Sequence, residues 1–211
     1  MKVLLIGYGR IGKIIHNLIK EEVVGIISHQ TDIKNEPDII IDFSHNDLLE
    51  KTIYYSKKYN VPILIGTTGY NEEKMALIRE YSNYVPIFIS ENFSLGVFMI
   101  KRFLNLNIKE CELYKKVIVE THNKGKKDCP SGTAISLSKS LNTNNIVSKR
   151  VADDITTHDI ILANDYEQIK ISHNVFNREI FAKGALECAA WLLKQKSGLY
   201  TMEDYFYELW S

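Results

Sequence analysis

The densest set of groups able to move protons or hold an anion lies mid-chain, in Glu120-Thr121-His122-Asn123-Lys124-Gly125-Lys126-Lys127-Asp128-Cys129-Pro130-Ser131-Gly132-Thr133-Ala134. An apolar/polar alternation ends at His122, and a basic loop follows. Asp128 or Ser131 then opens a helix carrying Ala134, Leu137 and Leu141 at helical spacing. Ser131, Gly132 and Thr133 therefore offer hydroxyls and N–H groups at a helix N-terminus, beside Lys126. Dipole, donors and one mobile cation together suit a carboxylate. A solvated basic loop with an ordinary helix cap would use the same residue types. His122, which titrates near neutral pH, tilts the balance toward proton transfer.

A second cluster opens the chain. Gly7-Tyr8-Gly9-Arg10-Ile11-Gly12 follows the apolar run Val3 to Ile6 and begins an amphipathic helix, the setting in which a G-x-G-x-x-G spacing suits a dinucleotide. Glycines allow the tight turn and let backbone approach a pyrophosphate, whose charge meets the helix N-terminus. A tight strand-to-helix turn without ligand would need similar residues. An acidic residue at the end of the second strand would bind the adenosine ribose and repel the extra phosphate of NADPH. Here Ile27 is followed by Ser28-His29-Gln30, and His29 and Lys34 could instead face that phosphate, which favours NADPH, although an ordinary loop histidine would read the same way. Gly66-Thr67-Thr68 and Ser90-Glu91-Asn92-Phe93 follow the fourth and fifth strands, at the edge where open α/β sheets bind ligands. Both read equally as a turn and a helix-capping loop.

Two kinds of element must position these groups. Val3–Ile6, Val23–Ile27, Ile39–Ile41, Ile63–Ile65 and Ile87–Ile89 are short apolar runs, as strands covered on both faces should be. Between them lie helical stripes, clearest in Ile11, Ile14, Ile15, Leu18 and Ile19. From about residue 94 the pattern changes to a helix with Leu95, Phe98, Met99, Arg102 and Phe103. One-face-buried strands follow, around Val117 to Glu120 and Ile169 to His173, with a hairpin turn at Ala163-Asn164-Asp165. His173, Arg150, His158 and Arg178 fall in this region; a histidine ending an apolar alternation is ordinarily structural, and no metal-ligand cluster emerges from the spacing. Phe181, Ala185, Cys188, Ala189 and Leu192 form a last stripe that returns the chain to the first domain.

The 211 residues, 45% hydrophobic, with 26 basic against 26 acidic side chains, belong to an ordinary folded protein. The balance argues against binding nucleic acid or anionic lipid through an overall field. No apolar run approaches the roughly 20 residues that span a bilayer. Cys111, Cys129 and Cys188 are odd in number and far apart, so a reduced cytoplasmic protein is expected.

Taken in order, the glycine loop, Asp42-Phe43-Ser44, Gly66-Thr67-Thr68-Gly69, Asn92-Phe93-Ser94-Leu95-Gly96-Val97, Glu120-Thr121-His122 and Lys126 through Ala134 resemble the 4-hydroxy-tetrahydrodipicolinate (dihydrodipicolinate) reductases. Ile171-Ser172-His173, Asn177-Arg178, Phe181 to Ala185 and Gly198-Leu199-Tyr200 extend the likeness over almost the whole chain. The resemblance implies a Rossmann-like doubly wound parallel sheet, residues 1–93 completed by 179–211. Residues 94–178 would form an inserted α+β domain with an open mixed sheet, for substrate binding and assembly into a homotetramer. It implies that Gly7, Tyr8, Gly9, Arg10, Ile11, Gly12, Gly66, Thr67, Thr68, Ser90, Glu91, Asn92 and Phe93 hold NADPH or NADH. His122 would be the proton donor and acceptor and Lys126 the second donor. Asn123, Ser131, Gly132 and Thr133 would bind a small dicarboxylate, and a hinge between the domains would close on the ligands. The implied reaction delivers hydride to C4 of the cyclic substrate with loss of water, in lysine biosynthesis through diaminopimelate.

Three departures accompany the resemblance. Asn123 stands where the family has a second, adjacent histidine; the acidic ribose contact is absent; and the glycine loop is one residue shorter. Another two-domain nicotinamide dehydrogenase, or a dinucleotide-sensing module without catalysis, would share the first domain.

Overall fold

The computed structural model describes residues 1–28, 33–151 and 156–210, the side chains of 209 and 210 excepted. In chain order its strands and α-helices begin with β1 (Val3–Ile6), α1 (Arg10–Leu18), β2 (Val23–Ile27), β3 (Ile39–Asp42) and α2 (Leu49–Tyr59). Next come β4 (Ile63–Ile65), α3 (Glu72–Tyr81), β5 (Pro86–Ile89), α4 (Leu95–Leu106) and α5 (Ile108–Cys111). The rest are β6 (Lys115–Asn123), α6 (Gly132–Leu141), β7 (Ile146–Val151), β8 (Thr156–Ala163), β9 (Gln168–Asn174), α7 (Glu179–Leu192), β10 (Gly198–Tyr200) and α8 (Met202–Trp210). Two compact units result, Met1–Phe93 with Glu179–Ser211, and Ser94–Arg178.

The first unit is a six-stranded sheet in the order β10-β5-β4-β3-β1-β2, parallel at every pairing. Its strands are apolar throughout because helices cover both faces. Leu4, Ile6, Ile40, Ile63, Ile65 and Ile87 pack with Leu49 and Ile53 of α2 and Ile78 and Tyr81 of α3. On the opposite face Phe88 meets Trp191 of α7 edge-on, and α1 packs on α7. The fold is thus the doubly wound sheet expected, with β3 one residue longer than its apolar run and β5 starting at Pro86. The short β10 and the terminal α8 complete the unit, beyond the last stripe that the sequence predicts.

The second unit is a four-stranded mixed sheet, β7-β6-β8-β9, in which β6 runs parallel to β7 and antiparallel to β8. Ile146, Ile118, Ile160 and Ile171 stand in register across all four strands and pack beneath α4 and α6, with Leu104, Leu137 and Leu141. Two residues along, the same face changes character: Ser148, Glu120, His158 and His173 form the next row. Strand alternation keeps both rows on one face, so the sheet's core and its polar end are continuous. Of the apolar residues that mark α4 in the sequence, Leu95, Met99 and Phe103 are exposed, whereas Val97 and Leu104 are buried. A period of 3.6 fixes that a face exists, not which face meets the sheet when apolar residues occur on both.

Candidate active site

In the first unit the glycine loop joins β1 to α1. Gly7 has φ of +92°, and its N–H donates to the Ile27 carbonyl at 2.9 Å. A Cβ there would lie 2.5 Å from the Phe43 carbonyl oxygen, and a Cβ on Gly12 would lie 2.5 Å from the Gly7 carbonyl oxygen. Gly9, the N-cap of α1, behaves differently: no side chain caps the helix, and a Cβ would meet nothing within 4 Å. Two glycines close the turn and the third leaves open space before a helix N-terminus, a cradle that fits a dinucleotide pyrophosphate. Tyr8 and Arg10 are exposed beside it and Ile11 is half-buried; the Tyr8 hydroxyl is 2.9 Å from His16 Nδ1.

The other loops at this edge are tied together by Asp42. Its buried carboxylate accepts from the Ser44 N–H and hydroxyl at 3.0 and 2.6 Å, from Thr52 at 2.6 Å and from Thr67 at 2.8 Å. Burial raises its pKa against the pull of those donors. The Thr67 hydroxyl is thereby committed to the fold, and at Gly66 a side chain would run into the Phe43 ring. Phe93 likewise packs against Phe43 and Phe88. Thr68 and Glu91 are exposed; Ser90, half-buried, donates through its hydroxyl to the Asn92 carbonyl. Lys34 is exposed, and His29 lies outside the described residues.

In the second unit, β6 carries Glu120 and His122 on its buried face. Ser131 is the N-cap of α6: its Oγ accepts from the Ala134 N–H at 3.2 Å, while its own N–H donates to Glu120 Oε1, also at 3.2 Å. Arg150 Nη2, from β7, donates to the same oxygen at 2.9 Å and to the Asp128 carbonyl at 2.6 Å. Glu120 Oε2 lies 3.0 Å from His122 Nδ1, at ion-pair distance though not in hydrogen-bond alignment. His158 Nε2 is 3.4 Å from Ser131 Oγ, and its ring meets that of His122 edge-on at 5.2 Å. At the end of the row, His173 Nε2 is 3.2 Å from the hydroxyl of Ser94, the N-cap of α4.

The loop between β6 and α6 sorts its lysines. Lys126 is half-buried with Nζ 2.7 Å from Asp128 Oδ2, whereas Lys124 and Lys127 are exposed. Asn123 is half-buried at the end of β6, and its carbonyl accepts from the Lys126 N–H at 3.2 Å. Gly132, in the first turn of α6, is exposed with nothing within 4 Å of where a Cβ would stand, and Thr133 is half-buried beside it. Gly132 therefore leaves space at the helix N-terminus, and the loop leading to it carries a half-buried cation, a combination that suits a carboxylate.

The charges follow from these contacts. Burial pushes the Glu120 carboxyl up, but the donors from Ser131, Ser148 and Arg150 with the His122 ring outweigh it, and its pKa falls to about 2. Burial lowers His122, opposed by Glu120 and assisted by Lys126 and Arg150. His158 is driven to about 3 by burial and by His122 and His173, and burial alone lowers His173. An ionised carboxylate thus stands against imidazoles held in their neutral form. Ligand-capable atoms of Glu120, His122 and His158 all lie within 4.8 Å of one another, a cluster that strand register creates and linear spacing hides. Arg150, 2.9 Å from Glu120, already places a positive charge on that carboxylate.

Comparison with known proteins gives the arrangement a lineage. Residues 1–93 match the family described as dihydrodipicolinate reductase, N-terminus, and residues 96–206 match dihydrodipicolinate reductase, C-terminus. The chain belongs to the dihydrodipicolinate reductase family. The 4-hydroxy-tetrahydrodipicolinate reductase of Thermosipho africanus is 35% identical, over 97% of this chain and 97% of that protein. That of Brachyspira hyodysenteriae is also 35% identical, over 97% and 99%. Among solved structures, a dipicolinate-bound dihydrodipicolinate reductase from Paenisporosarcina sp. TG-14 shares the fold with a TM-score of 0.77, at 18% identity and over 97% of this chain and 98% of that one.

Within this reductase family member, the residues singled out by sequence fall into two groups. His122, Asn123, Lys126, Ser131, Gly132 and Thr133 lie together at one end of the mixed sheet. Gly7 to Gly12, Gly66 to Thr68 and Ser90 to Phe93 lie around the ends of β1, β4 and β5 in the other unit. Glu120, Arg150 and His158, which sequence reasoning left without a role, prove to be the immediate surroundings of His122. The one available signal was the two-residue spacing of Glu120 and His122, which sets both on one face of a strand.

Proposed function

We propose that this chain is a 4-hydroxy-tetrahydrodipicolinate reductase, converting (2S,4S)-4-hydroxy-2,3,4,5-tetrahydrodipicolinate to tetrahydrodipicolinate with loss of water, in the diaminopimelate route to lysine. The observation that carries this is the setting of His122 beside a half-buried lysine and an open helix N-terminus, on the sheet of a family member. NAD(P)H, when bound, supplies the hydride that C4 accepts. Gly7, Gly9 and Gly12 with the first turn of α1 hold its pyrophosphate, and the loops at Gly66 to Thr68 and Ser90 to Phe93 line its path. Lys126 and the N–H groups of Gly132 and Thr133 bind a carboxylate of the dianion, with Asn123 as an amide donor. His122 gives and takes the proton that the reaction needs, and Lys126 is the second donor, so that water leaves neutral.

NADPH is the preferred reductant. Its support is the absence of an acid at the end of β2, where exposed Ser28 follows Ile27, together with exposed Lys34. Assembly as a homotetramer is supported by the sheet face that carries half-buried Val119 and exposed Val147 in register, opposite the face on which Ile118 and Ile146 join the core. Free Cys111, Cys129 and Cys188 suit a reducing cytoplasm; none of the described helices is long and apolar enough to cross a membrane.

The test is a coupled assay in which pyruvate and aspartate semialdehyde are condensed enzymatically and oxidation of NADPH and NADH is followed at 340 nm. Substrate-dependent oxidation, faster with NADPH, is expected. Cofactor binding by fluorescence with no substrate-dependent turnover would instead indicate a dinucleotide-sensing module.

A further inference from the structure

A histidine that exchanges protons needs a group that fixes which ring nitrogen carries its proton, and β6 supplies one. Glu120 is fully buried and two residues before His122 on the same face of the strand. One of its oxygens is taken by the Ser131 N–H and the Arg150 guanidinium, and the other faces His122 Nδ1 at 3.0 Å. We infer that Glu120 is a positioning residue: it holds His122 as the Nδ1–H tautomer, leaving Nε2 to exchange the proton, and ties this acid to the carboxylate-binding helix end through Ser131. The inference rests on His122 being the proton carrier of the proposed reaction.

Three features support it. Glu120 Oε2 and His122 Nδ1 are both buried, neither is hydrogen-bonded, and they stand 3.0 Å apart, so a small ring rotation that pairs them satisfies both at once; Ser148 is the other hydroxyl against this carboxylate. Arg150 bridges Glu120 and the Asp128 carbonyl, which locks the carboxylate against rotation and fixes the loop that carries Lys126. Ser131 is the residue before Gly132, so the bond that orients Glu120 also sets where the first turn of α6 begins. The groups facing His122 are Glu120 on its own strand, Arg150 from β7, His158 from β8, and Lys126 and Asp128 from the loop; of these only Glu120 and Asp128 favour its cation.

The decisive experiment is nitrogen-15 NMR of the histidine rings in the wild-type enzyme, with His122 assigned by its absence in His122→Asn. Above its titration, His122 is expected to show a protonated Nδ1 and a bare Nε2; a bare Nδ1 overturns the inference, whatever the enzyme's activity. Glu120→Gln adds a kinetic arm, because an amide turned with its NH₂ toward Nδ1 reverses the tautomer. We expect kcat to fall by about 10²-fold or more, the scale of losing a general acid. Affinity for pyridine-2,6-dicarboxylate should stay within about threefold, and the limb of the pH–kcat profile set by His122 should move to lower pH. A variant that keeps the wild-type tautomer and pH profile refutes the role. Should Glu120→Gln not fold, the wild-type spectrum alone decides.

Discussion

The carbonyl oxygen of Gly7 lies 2.5 Å from the point where a side chain at Gly12 would begin, whereas the same point at Gly9 has nothing within 4 Å. Two alanine substitutions five and two residues into one loop should therefore fail differently. Gly12→Ala forces the strand-helix turn apart, at a cost of about 1–3 kcal/mol, and should lower the melting temperature as well as NADPH binding. Gly9→Ala leaves the fold unchanged and weakens NADPH by about tenfold or more, because its methyl enters the space reserved for the pyrophosphate. Thermal melts and NADPH fluorescence titrations separate the two, and equal melting losses would contradict the geometry.

His122 and Lys126 are distinguishable by which constant each controls. His122→Ala should lower kcat by about 10²-fold with little change in KM, since the imidazole acts on the proton and not on the ground-state dianion. Lys126→Ala removes a charge from the carboxylate site and should weaken pyridine-2,6-dicarboxylate by about 10- to 100-fold, the scale of a charged hydrogen bond. Turnover should fall as well. Unchanged inhibition by pyridine-2,6-dicarboxylate would remove Lys126 from the site.

How far the sequence alone reaches can be judged from β6. Its strand, its buried face and the helix opened by Ser131 are written locally, in a two-residue alternation followed by a capping hydroxyl, and the doubly wound sheet is equally local because its strands are apolar on both faces. Glu120, His158 and Arg150 are not local: they meet only when β7 and β8 are laid against β6 in one register, across connections that no periodicity specifies. Thr67 shows the converse. Its position at a ligand-binding edge was legible, but its bond to Asp42, which ties the hydroxyl into the fold, depends on packing between β3 and β4.

Asn123 offers a gain-of-charge test. It follows His122 at the end of β6, half-buried, with its carbonyl engaged by the Lys126 N–H and its side chain near Gly125. Asn123→His keeps that backbone bond and adds an imidazole, so dicarboxylate binding should tighten as pH falls through about 6.5, the range in which an unperturbed histidine gains charge. Inhibition constants for pyridine-2,6-dicarboxylate measured from pH 8 to 5.5 would show a steeper dependence than wild type; parallel curves would mean the position does not contact the ligand.

The outer face of the mixed sheet predicts assembly through strands. Val119 pairs with Val147 on β7 and with Asp159 on β8. Val119→Lys places an ammonium at the centre of that face, where burial against another copy would be costly. Sedimentation should show smaller species than wild type, with NADPH affinity retained; an unchanged assembly would place the interface elsewhere.

Acid should destabilise the second unit before the first, with a sign that follows from its histidines. His158 ordinarily titrates near 6.5 but is lowered to about 3 in the fold, so between those values the unfolded chain binds a proton that the native state refuses. Stability then rises with pH across this window and is lost as pH falls through it. Glu120, lowered from 4.5 to about 2, adds the same sign lower down: its carboxylate must be protonated to leave its donors. His122 and His173 are also lowered and act in the first window. Asp42 in the first unit is raised instead, so its native form takes up a proton earlier and opposes the trend. Urea midpoints should therefore fall by an amount corresponding to a few kcal/mol between about pH 7 and pH 4, each unit of displaced titration being worth about 1.4 kcal/mol. His158→Leu replaces the imidazole with an apolar group of similar size and should flatten the slope between pH 6.5 and 5 while leaving stability at neutral pH nearly unchanged. A slope identical to wild type would mean that His158 is not held neutral by the sheet.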